Sequence, residues 1–304
     1  MQRTLVYSPA MKNTHPLLHE LNDPQAQAVA APMGNLLILA GAGSGKTRVL
    51  VHRIAWLVQE EQASPFSILS VTFTNKAANE MRLRVEALMG SSTQGMWIGT
   101  FHSLAHRLLR THWRDAKLPE NFQIIDSQDQ LRLVKRIMRS LSIDETRWPP
   151  KQAQWFINQK KDEGLRSHHL SQSNKAQEAL LLRVYQAYEE ACEQGGMVDF
   201  AEILLRSHEL WLNHPELLKH YQQRFRHILV DEFQDTNAIQ YAWLRMLAGT
   251  ENHMMVVGDD DQSIYSWRGA CVDNIHQFKK DLANVTSITL AQNYRSTSVI
   301  LSAA

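Results

Sequence analysis

A glycine-rich segment that ends in Gly-Lys-Thr follows the strongly apolar run Leu36–Ala40. A loop of this kind, entered from a strand and leaving into a helix, is typical of phosphate binding. Its backbone N–H groups surround phosphates, and glycine lets the chain bend close to the ligand. We expect Lys46 to contact the β and γ phosphates of a nucleoside triphosphate and the Thr47 hydroxyl to bind Mg²⁺, with the helix dipole favouring the anion. The loop residues assigned to ATP are Gly41, Ala42, Gly43, Ser44, Gly45, Lys46 and Thr47.

Two acids, Asp231 and Glu232, end a second apolar run, Ile228–Val230. Beside a phosphate-binding loop, Asp231 is suited to hold Mg²⁺, which prefers oxygen ligands. Glu232 would act as the general base that polarises the attacking water. Adjacent strand residues point to opposite faces, so the two acids can share this task only where the strand ends and the chain turns. The alternative is a pair of solvated acids.

A loop that combines acids with aromatic residues follows a third apolar run, His253–Gly258. Gln262 is an uncharged amide that could contact both a phosphate oxygen and water, which suits a sensor of the γ phosphate. Tyr265 and Trp267 are suited to stack on unpaired bases. The alternative is an acidic loop whose Trp267 belongs to the core.

The composition excludes several classes of protein. Lys and Arg number 32 against 31 Asp and Glu in 304 residues, so the net charge of +1 gives no sign of a polyanionic partner and any basic surface must be local. The two cysteines lack metal-site spacing, which fits a reducing cytosol. No apolar stretch could span a bilayer, and Met1–Pro16 lacks the apolar core of a signal peptide. We therefore expect a cytoplasmic protein with no membrane partner and no metal other than Mg²⁺.

The order of apolar runs predicts an α/β fold. Strands and helices alternate from residue 36 to about residue 113, which favours a parallel sheet covered on both faces. From about Asp126 to Gln223 nearly all of the chain has helical periodicity, and strands resume at His227. The sequence therefore predicts one parallel-sheet domain interrupted by a mainly helical insertion.

Several motifs together carry a family resemblance. They are the phosphate-binding loop and Asp231–Thr236, Gly258–Gly269 and Gln292–Thr297. In this order they resemble the motifs of superfamily 1 helicases of the UvrD/Rep/PcrA type, and Asp-Glu-Phe-Gln-Asp is close to diagnostic. The match begins at about Leu21 and continues to the end of the chain.

The resemblance implies roles for residues outside the loops described so far. Gln25 would read the adenine, Tyr294 would stack on it, Arg48 would lie along the nucleotide, and Arg295 would reach the γ phosphate as a catalytic group. The residues implied to line the DNA path are Thr74, Asn75, Phe101, His102, Asp199, Phe200, Tyr265 and Trp267.

The resemblance also implies an organisation and a substrate. A disordered tail would cover residues 1–20, a first RecA-like domain of the P-loop NTPase class residues 21–114 and 225–291, a helical inserted subdomain residues 115–224, and the start of a truncated second RecA-like domain residues 292–304. The substrate would be single-stranded DNA or 3′-tailed duplex DNA, with 3′ to 5′ polarity, and the setting a bacterial, nucleoid-associated one with repair proteins as possible partners. Ser266 stands where the family usually has glycine.

Two basic stripes and one aromatic segment have less specific signals. Arg107, Arg110 and Arg114 have helical spacing, as do Arg132, Lys135, Arg136 and Arg139. Either stripe could contact DNA phosphates, but for the second we favour a solvated helix face. We expect Trp148–Trp155 to belong to the core.

Three functions fit the motifs to different degrees: we favour the first for a full-length protein and the second for residues 1–304 alone, and the third is disfavoured. The first is ATP-driven translocation on single-stranded DNA in repair or replication. The second is a module that binds ATP and single-stranded DNA without turnover, because translocation requires two domains that close around the nucleotide. A P-loop kinase is the third, but it would leave Phe101-His102 and Tyr265-Trp267 without a role.

Overall fold

The computed structural model describes residues 8, 12, 14–41, 43–171, 175–259 and 273–290. The chain divides into two compact units. The first, here called the sheet unit, comprises Met1–Leu104, Glu216–Thr236 and Leu244–Ala304. The second, here called the helical unit, comprises Ala105–Pro215 and Asn237–Trp243. Each is described by itself below.

The sheet unit is built on a six-stranded sheet. Its strands are β1 (Leu36–Ala40), β2 (Ile68–Thr72), β3 (Trp97–Thr100), β6 (His227–Val230), β7 (His253–Gly258) and β8 (Thr286–Leu290). They pair in parallel in the order β3-β2-β6-β7-β1-β8. Helices lying wholly or mainly in this unit are α1 (Asp23–Val29), α2 (Lys46–Gln59), α3 (Asn75–Met89), α9 (Pro215–Arg224) and α11 (Asp273–Asp281). Helices α4 (Phe101–Thr111) and α10 (Ala238–Leu247) cross from one unit into the other.

The predicted α/β fold class is confirmed. The apolar runs of the sequence form the central strands because parallel strands covered by helices are buried on both faces. All five residues of β2 and all four of β6 are buried.

The helical unit contains four helices and a small sheet. The helices are α5 (Ser127–Ser140), α6 (Pro150–Asp162), α7 (Ala176–Gly195) and α8 (Phe200–Asn213). The two-residue strands β4 (Gln123–Ile124) and β5 (Met197–Val198) pair in parallel, and the sequence did not predict them. No helix in the described parts of the chain is long and apolar enough to cross a membrane.

The predicted disordered tail of residues 1–20 is wrong for residues 15–20. Leu17 is 4% exposed and Leu18 is fully buried, and both belong to the core of the sheet unit. The carbonyl oxygen of Leu17 lies 2.7 Å from Nδ1 of His52 on α2. The His15 ring packs against Trp56, and its Nε2 lies 3.0 Å from Oε1 of Glu60. These residues are ordered because their apolar side chains cover the α2 helix.

A histidine buried within the sheet predicts acid sensitivity. Burial, helped by His253 and nearby arginines, lowers the pKa of His227 from 6.5 to about 4. Between these values the unfolded chain takes up a proton that the folded chain excludes, so stability falls as the pH falls from 7 toward 4. This residue alone should lower the free energy of unfolding by about 2 kcal/mol between pH 7 and pH 5. Denaturant unfolding at both pH values measures the effect.

The matched variants are His227→Gln and His276→Gln, since His276 is exposed. His227→Gln should flatten the dependence of stability on pH, whatever its effect at pH 7. His276→Gln should leave that dependence unchanged. Identical pH slopes for the native chain and His227→Gln would contradict the assignment.

Candidate nucleotide site

The phosphate-binding loop lies between the carboxyl end of β1 and the first residue of α2. Gly43 has φ +73° and Gly45 has φ +87°, the left-handed region in which glycine is favoured. Ser44 is buried, and its hydroxyl donates to the carbonyl of Gly41 at 2.8 Å. Lys46 is the first residue of α2, and its side chain is 9% exposed. The loop therefore aims a helix N-terminus and a buried ammonium group at the carboxyl edge of the sheet.

The geometry of Gly45 predicts a large effect of one added methyl group. An alanine Cβ there would lie 2.6 Å from Nε2 of Gln25, which donates to the carbonyl of Ser44 at 2.8 Å. The left-handed backbone adds about 1–2 kcal/mol of strain for an alanine. Gly45→Ala should therefore lower the free energy of unfolding by about 2 kcal/mol and weaken ATP binding. Denaturant titration and equilibrium nucleotide binding measure the two effects.

Gly34→Ala is the matched control, because an added Cβ there meets no atom within 4 Å. Its free energy of unfolding should stay within about 0.5 kcal/mol of the native value. Equal stability of the two variants would contradict the account of the Gly45 turn.

Asp231 and Glu232 face the same site because the chain turns directly after β6. The amide of Asp231 still donates to Val71 on β2, at 2.9 Å. Glu232 adopts the left-handed conformation, with φ 49° and ψ 46°, and precedes a 3₁₀ turn, Phe233–Asp235. A glutamate in this conformation is uncommon and marks a constrained position. This turn is the condition under which two adjacent acids can share one site.

Asp231 is buried beside the phosphate-binding loop. It is 4% exposed, and its Oδ2 accepts from the Thr47 hydroxyl at 3.4 Å. Burial, together with the neighbouring charge of Glu232, raises the pKa of Asp231 to about 7. A carboxylate in this setting is poorly solvated and would be stabilised by a bound cation.

Lys46 lies between two carboxylates that come from different strand ends. Its Nζ is 3.6 Å from Oε2 of Glu232, which follows β6, and 3.5 Å from Oδ2 of Asp259, which follows β7. Among the described residues, no acceptor forms a hydrogen bond with this buried Nζ. Its charge is therefore balanced by acids but its three N–H donors remain available to an anionic ligand.

The donor set fits ATP with Mg²⁺. A buried lysine with unused donors suits phosphate oxygens, and the Thr47 hydroxyl beside the Asp231 carboxylate supplies the oxygen ligands that Mg²⁺ prefers. The site lies at the carboxyl edge of a parallel sheet, where α/β folds bind ligands.

Gln234 and Asp259 also belong to this site, although no role was predicted for them from the sequence. Gln234 is 2% exposed and donates to Glu232 at 2.8 Å. Its Oε1 accepts from the backbone N–H of Asp259 at 3.0 Å. Their positions in the sequence could have indicated this, because Gln234 follows β6, Asp259 follows β7, and these two strands are neighbours in the sheet.

The predicted nucleotide contacts Gln25 and Arg48 have partners within the protein. Gln25 is 2% exposed and bonds Ser44 through Nε2, while its Oε1 accepts from the backbone N–H of Asn22 at 3.1 Å. These bonds hold the amide in place and use one of its two N–H donors and one of its two acceptor lone pairs. Arg48 is half-exposed and forms an ion pair with Glu20 at 2.8 Å.

The predicted DNA residues of the sheet unit differ in exposure. Thr74 and Asn75 are exposed, and Thr74 caps α3 by accepting from the amide of Ala77 at 3.1 Å. His102 is half-buried. Phe101 is 2% exposed and packs edge-on against Phe73, with 5.6 Å between the ring centroids. The structure therefore argues against stacking of a base on Phe101, because its ring belongs to the core.

Asp199, one of the two predicted DNA residues of the helical unit, is a buried structural acid. Its Oδ1 caps α8 by accepting from the amide of Glu202, and its Oδ2 accepts from Lys161 and Tyr188, each at 2.7 Å. Asp199 is 2% exposed, which argues against a direct contact with DNA. The adjacent Phe200 is 55% exposed and remains accessible to a ligand.

Arginines of both basic stripes have partners within the protein, and one end of the tryptophan segment is exposed. Arg110 stacks on Phe122 and donates to its carbonyl at 2.9 Å, so it holds the following loop. In the second stripe Arg132 pairs with Asp129 and Arg139 with Glu145, as expected for a solvated face. The expectation that Trp155 belongs to the core is wrong, because its side chain is 61% exposed on α6.

Six of the predicted site residues lie outside the described part of the chain. They are Ala42, Gln262, Tyr265, Trp267, Tyr294 and Arg295.

The known proteins that match this chain belong to the family that its motifs resemble. Residues 21–283 match the family model described as UvrD/REP helicase N-terminal domain. DNA helicase II of Escherichia coli strain K12 is 64% identical over 288 residues, which are 95% of this chain and 40% of the relative. DNA helicase II of Haemophilus influenzae is 57% identical over 97% of this chain and 41% of the relative. ATP-dependent DNA helicase PcrA of Staphylococcus epidermidis is 43% identical over 95% of this chain and 40% of the relative.

The chain thus spans about two-fifths of the length of the curated relatives it matches. The family model covers most of the described sheet and helical units and includes both acids and the phosphate-binding loop. The resemblance stated from the motifs is confirmed, and the chain belongs to the UvrD/REP helicase family.

Proposed function

We propose that this chain binds ATP with Mg²⁺ and hydrolyses it to drive 3′ to 5′ movement along single-stranded DNA, as part of a helicase in repair or replication. The observation that carries the proposal is the buried Lys46 ammonium between Glu232 and Asp259, with Thr47 beside Asp231. A structural lysine in a folded core would normally bond its acids at shorter distances. The names of the relatives, DNA helicase II and ATP-dependent DNA helicase PcrA, support the same conclusion.

The proposed chemistry assigns one task to each group. Lys46 and the N–H groups of the loop hold the β and γ phosphates, and Glu232 accepts a proton from the water that attacks the γ phosphorus. The bond from the γ phosphorus to the bridging oxygen breaks, giving ADP and inorganic phosphate. Thr47 and Asp231 would hold Mg²⁺, which would neutralise charge on the phosphates when bound.

The remaining assignments are part of the same proposal. The proposed first RecA-like domain corresponds to the sheet unit and the proposed inserted subdomain to the helical unit, whose bounds, Ala105–Pro215 and Asn237–Trp243, differ from the predicted 115–224. Thr74, Asn75, His102 and Phe200 have the exposure that a DNA contact requires. Gln262, Tyr265, Trp267, Tyr294 and Arg295 keep the roles implied by family resemblance. Repair proteins are proposed partners of the whole protein.

The second candidate function is an ATP- and DNA-binding module without turnover. It is supported by the same buried Lys46 and Thr47–Asp231 pair, which would bind ATP with Mg²⁺ whether or not hydrolysis follows.

The test is ATP hydrolysis by the 304-residue chain with and without single-stranded DNA, with Lys46→Ala as the blank. Hydrolysis that DNA stimulates and that the blank lacks supports the first function. ATP and DNA binding without hydrolysis supports the second. Absence of ATP binding, or equal hydrolysis by the blank, would overturn both.

A further inference from the structure

A buried glutamine connects the proposed general base to the end of the neighbouring strand. Gln234 lies in the 3₁₀ turn after β6 and is 2% exposed. Its Nε2 donates to Oε2 of Glu232 at 2.8 Å, and its Oε1 accepts from the N–H of Asp259 at 3.0 Å. We infer that Gln234 is a positioning residue that orients the Glu232 carboxylate and links it to the backbone at the end of β7. This inference rests on the proposed function.

The two bonds require a side chain that both donates and accepts. A carboxylate can only accept and a backbone N–H can only donate, so the amide is oriented one way by its surroundings. Asparagine is one methylene shorter, and glutamate lacks the donor. Glutamine is therefore matched to this position by its chemistry and by its length.

The backbone on the β7 side leaves room for this amide. A Cβ on Gly258 would lie 3.0 Å from Oε1 of Gln234 and 3.4 Å from its backbone N. The approach is close enough that an added methyl group must displace the side chain or the turn. Gly258 thus allows the Gln234 amide to reach Asp259.

Glu232 needs an external group to orient it. Its backbone is left-handed, its side chain is 37% exposed, and Lys46 is 3.6 Å away, beyond a good hydrogen bond. Gln234 supplies the short hydrogen bond that fixes one carboxylate oxygen. The bond leaves Oε1 of Glu232 as the oxygen that would accept from the attacking water in the proposed mechanism.

The link also joins the two acids that flank Lys46. Glu232 and Asp259 come from adjacent strands, and Gln234 bonds both residues. A shift of the Glu232 carboxylate on nucleotide binding would therefore be transmitted to the Asp259 backbone. The amide of Asp259 is the point at which this transmission can be measured.

Three variants separate the two bonds. Gln234→Met removes both hydrogen bonds while keeping a side chain of similar length. Gln234→Glu keeps the acceptor for the Asp259 amide but loses the donor to Glu232. Gly258→Ala displaces the Gln234 amide without changing its chemistry. We expect kcat for ATP hydrolysis to fall about 10- to 100-fold in Gln234→Met and at least as far in Gln234→Glu, with a smaller loss in Gly258→Ala. The affinity for a non-hydrolysable ATP analogue should change less than about threefold, since no proposed phosphate contact is removed.

Hydrogen exchange of the Asp259 amide is the second measurement and does not depend on turnover. Exchange should be faster in Gln234→Met than in the native chain or in Gln234→Glu. Adding the ATP analogue should change it in the native chain but not in Gln234→Met. A Met variant with native hydrolysis, or one whose Asp259 exchange responds to the analogue as the native chain does, would overturn the inference. If the native chain does not bind the ATP analogue, the proposed function is overturned instead.

Discussion

Replacing Glu232 with glutamine should slow ATP hydrolysis by about 10²- to 10⁴-fold while leaving ATP binding nearly unchanged. Glutamine keeps the size of the side chain but cannot accept the proton of the attacking water. The carboxylate accepts a hydrogen bond from Gln234 at 2.8 Å and lies 3.6 Å from Lys46. The phosphate contacts proposed for Lys46 and the loop do not involve Glu232. The measurement is the rate of DNA-stimulated hydrolysis together with the dissociation constant of a non-hydrolysable ATP analogue.

Glu251→Gln is the matched control, because Glu251 is exposed in the loop before β7. It should hydrolyse ATP at the native rate. A Glu232→Gln protein that retains more than half of the native rate would rule out the role of general base.

Replacing Asp231 with asparagine should stabilise the nucleotide-free protein and abolish most of its activity. Burial raises the pKa of Asp231 to about 7, so at pH 8 the folded chain holds a charge that the unfolded chain would solvate better. Between pH 3.8 and about 7 the folded chain retains a proton that the unfolded chain releases, and stability falls as the pH rises. Asparagine removes this cost and should raise the free energy of unfolding at pH 8 by about 1–3 kcal/mol. Hydrolysis that depends on Mg²⁺ should fall about 100-fold or more.

Denaturant unfolding without nucleotide at pH 8 and pH 5 measures the stability effect. The advantage of Asp231→Asn should shrink at pH 5, where the native carboxyl is already protonated. Asp129→Asn, which removes an exposed acid paired with Arg132, should change stability by less than about 1 kcal/mol at either pH. An Asp231→Asn protein that is less stable than the native chain at pH 8 would contradict the reasoning.

The parts of the fold that follow from local pattern were predictable. Apolar runs such as Leu36–Ala40 have no alternative to burial, and glycines before Lys46 indicate a phosphate-binding turn. The turn after Asp231 was required for two adjacent acids to share a site, and the left-handed Glu232 provides it. The two-residue strands β4 and β5 escaped prediction because two residues are too few to show a period.

The spacing of residues in the sequence could not predict which side chains contact each other. Lys161 and Asp199 are 38 residues apart, and only the fold brings them to 2.7 Å. Phe101 has the residue type of a base-stacking group, but its place on α4 turns the ring into the core. Conversely, Trp155 is 61% exposed on α6, although its residue type favoured a place in the core.

The most direct test of the central claim is the equilibrium affinity of this chain for a non-hydrolysable ATP analogue with Mg²⁺, measured by calorimetry on the native protein, Lys46→Ala and Lys219→Ala. Lys219 is exposed on α9 and serves as the matched control. We predict one binding site, an affinity at least 10-fold weaker in Lys46→Ala, and native affinity in Lys219→Ala. Equal affinities for all three proteins would contradict the account, because the buried ammonium group would then not be part of a nucleotide site.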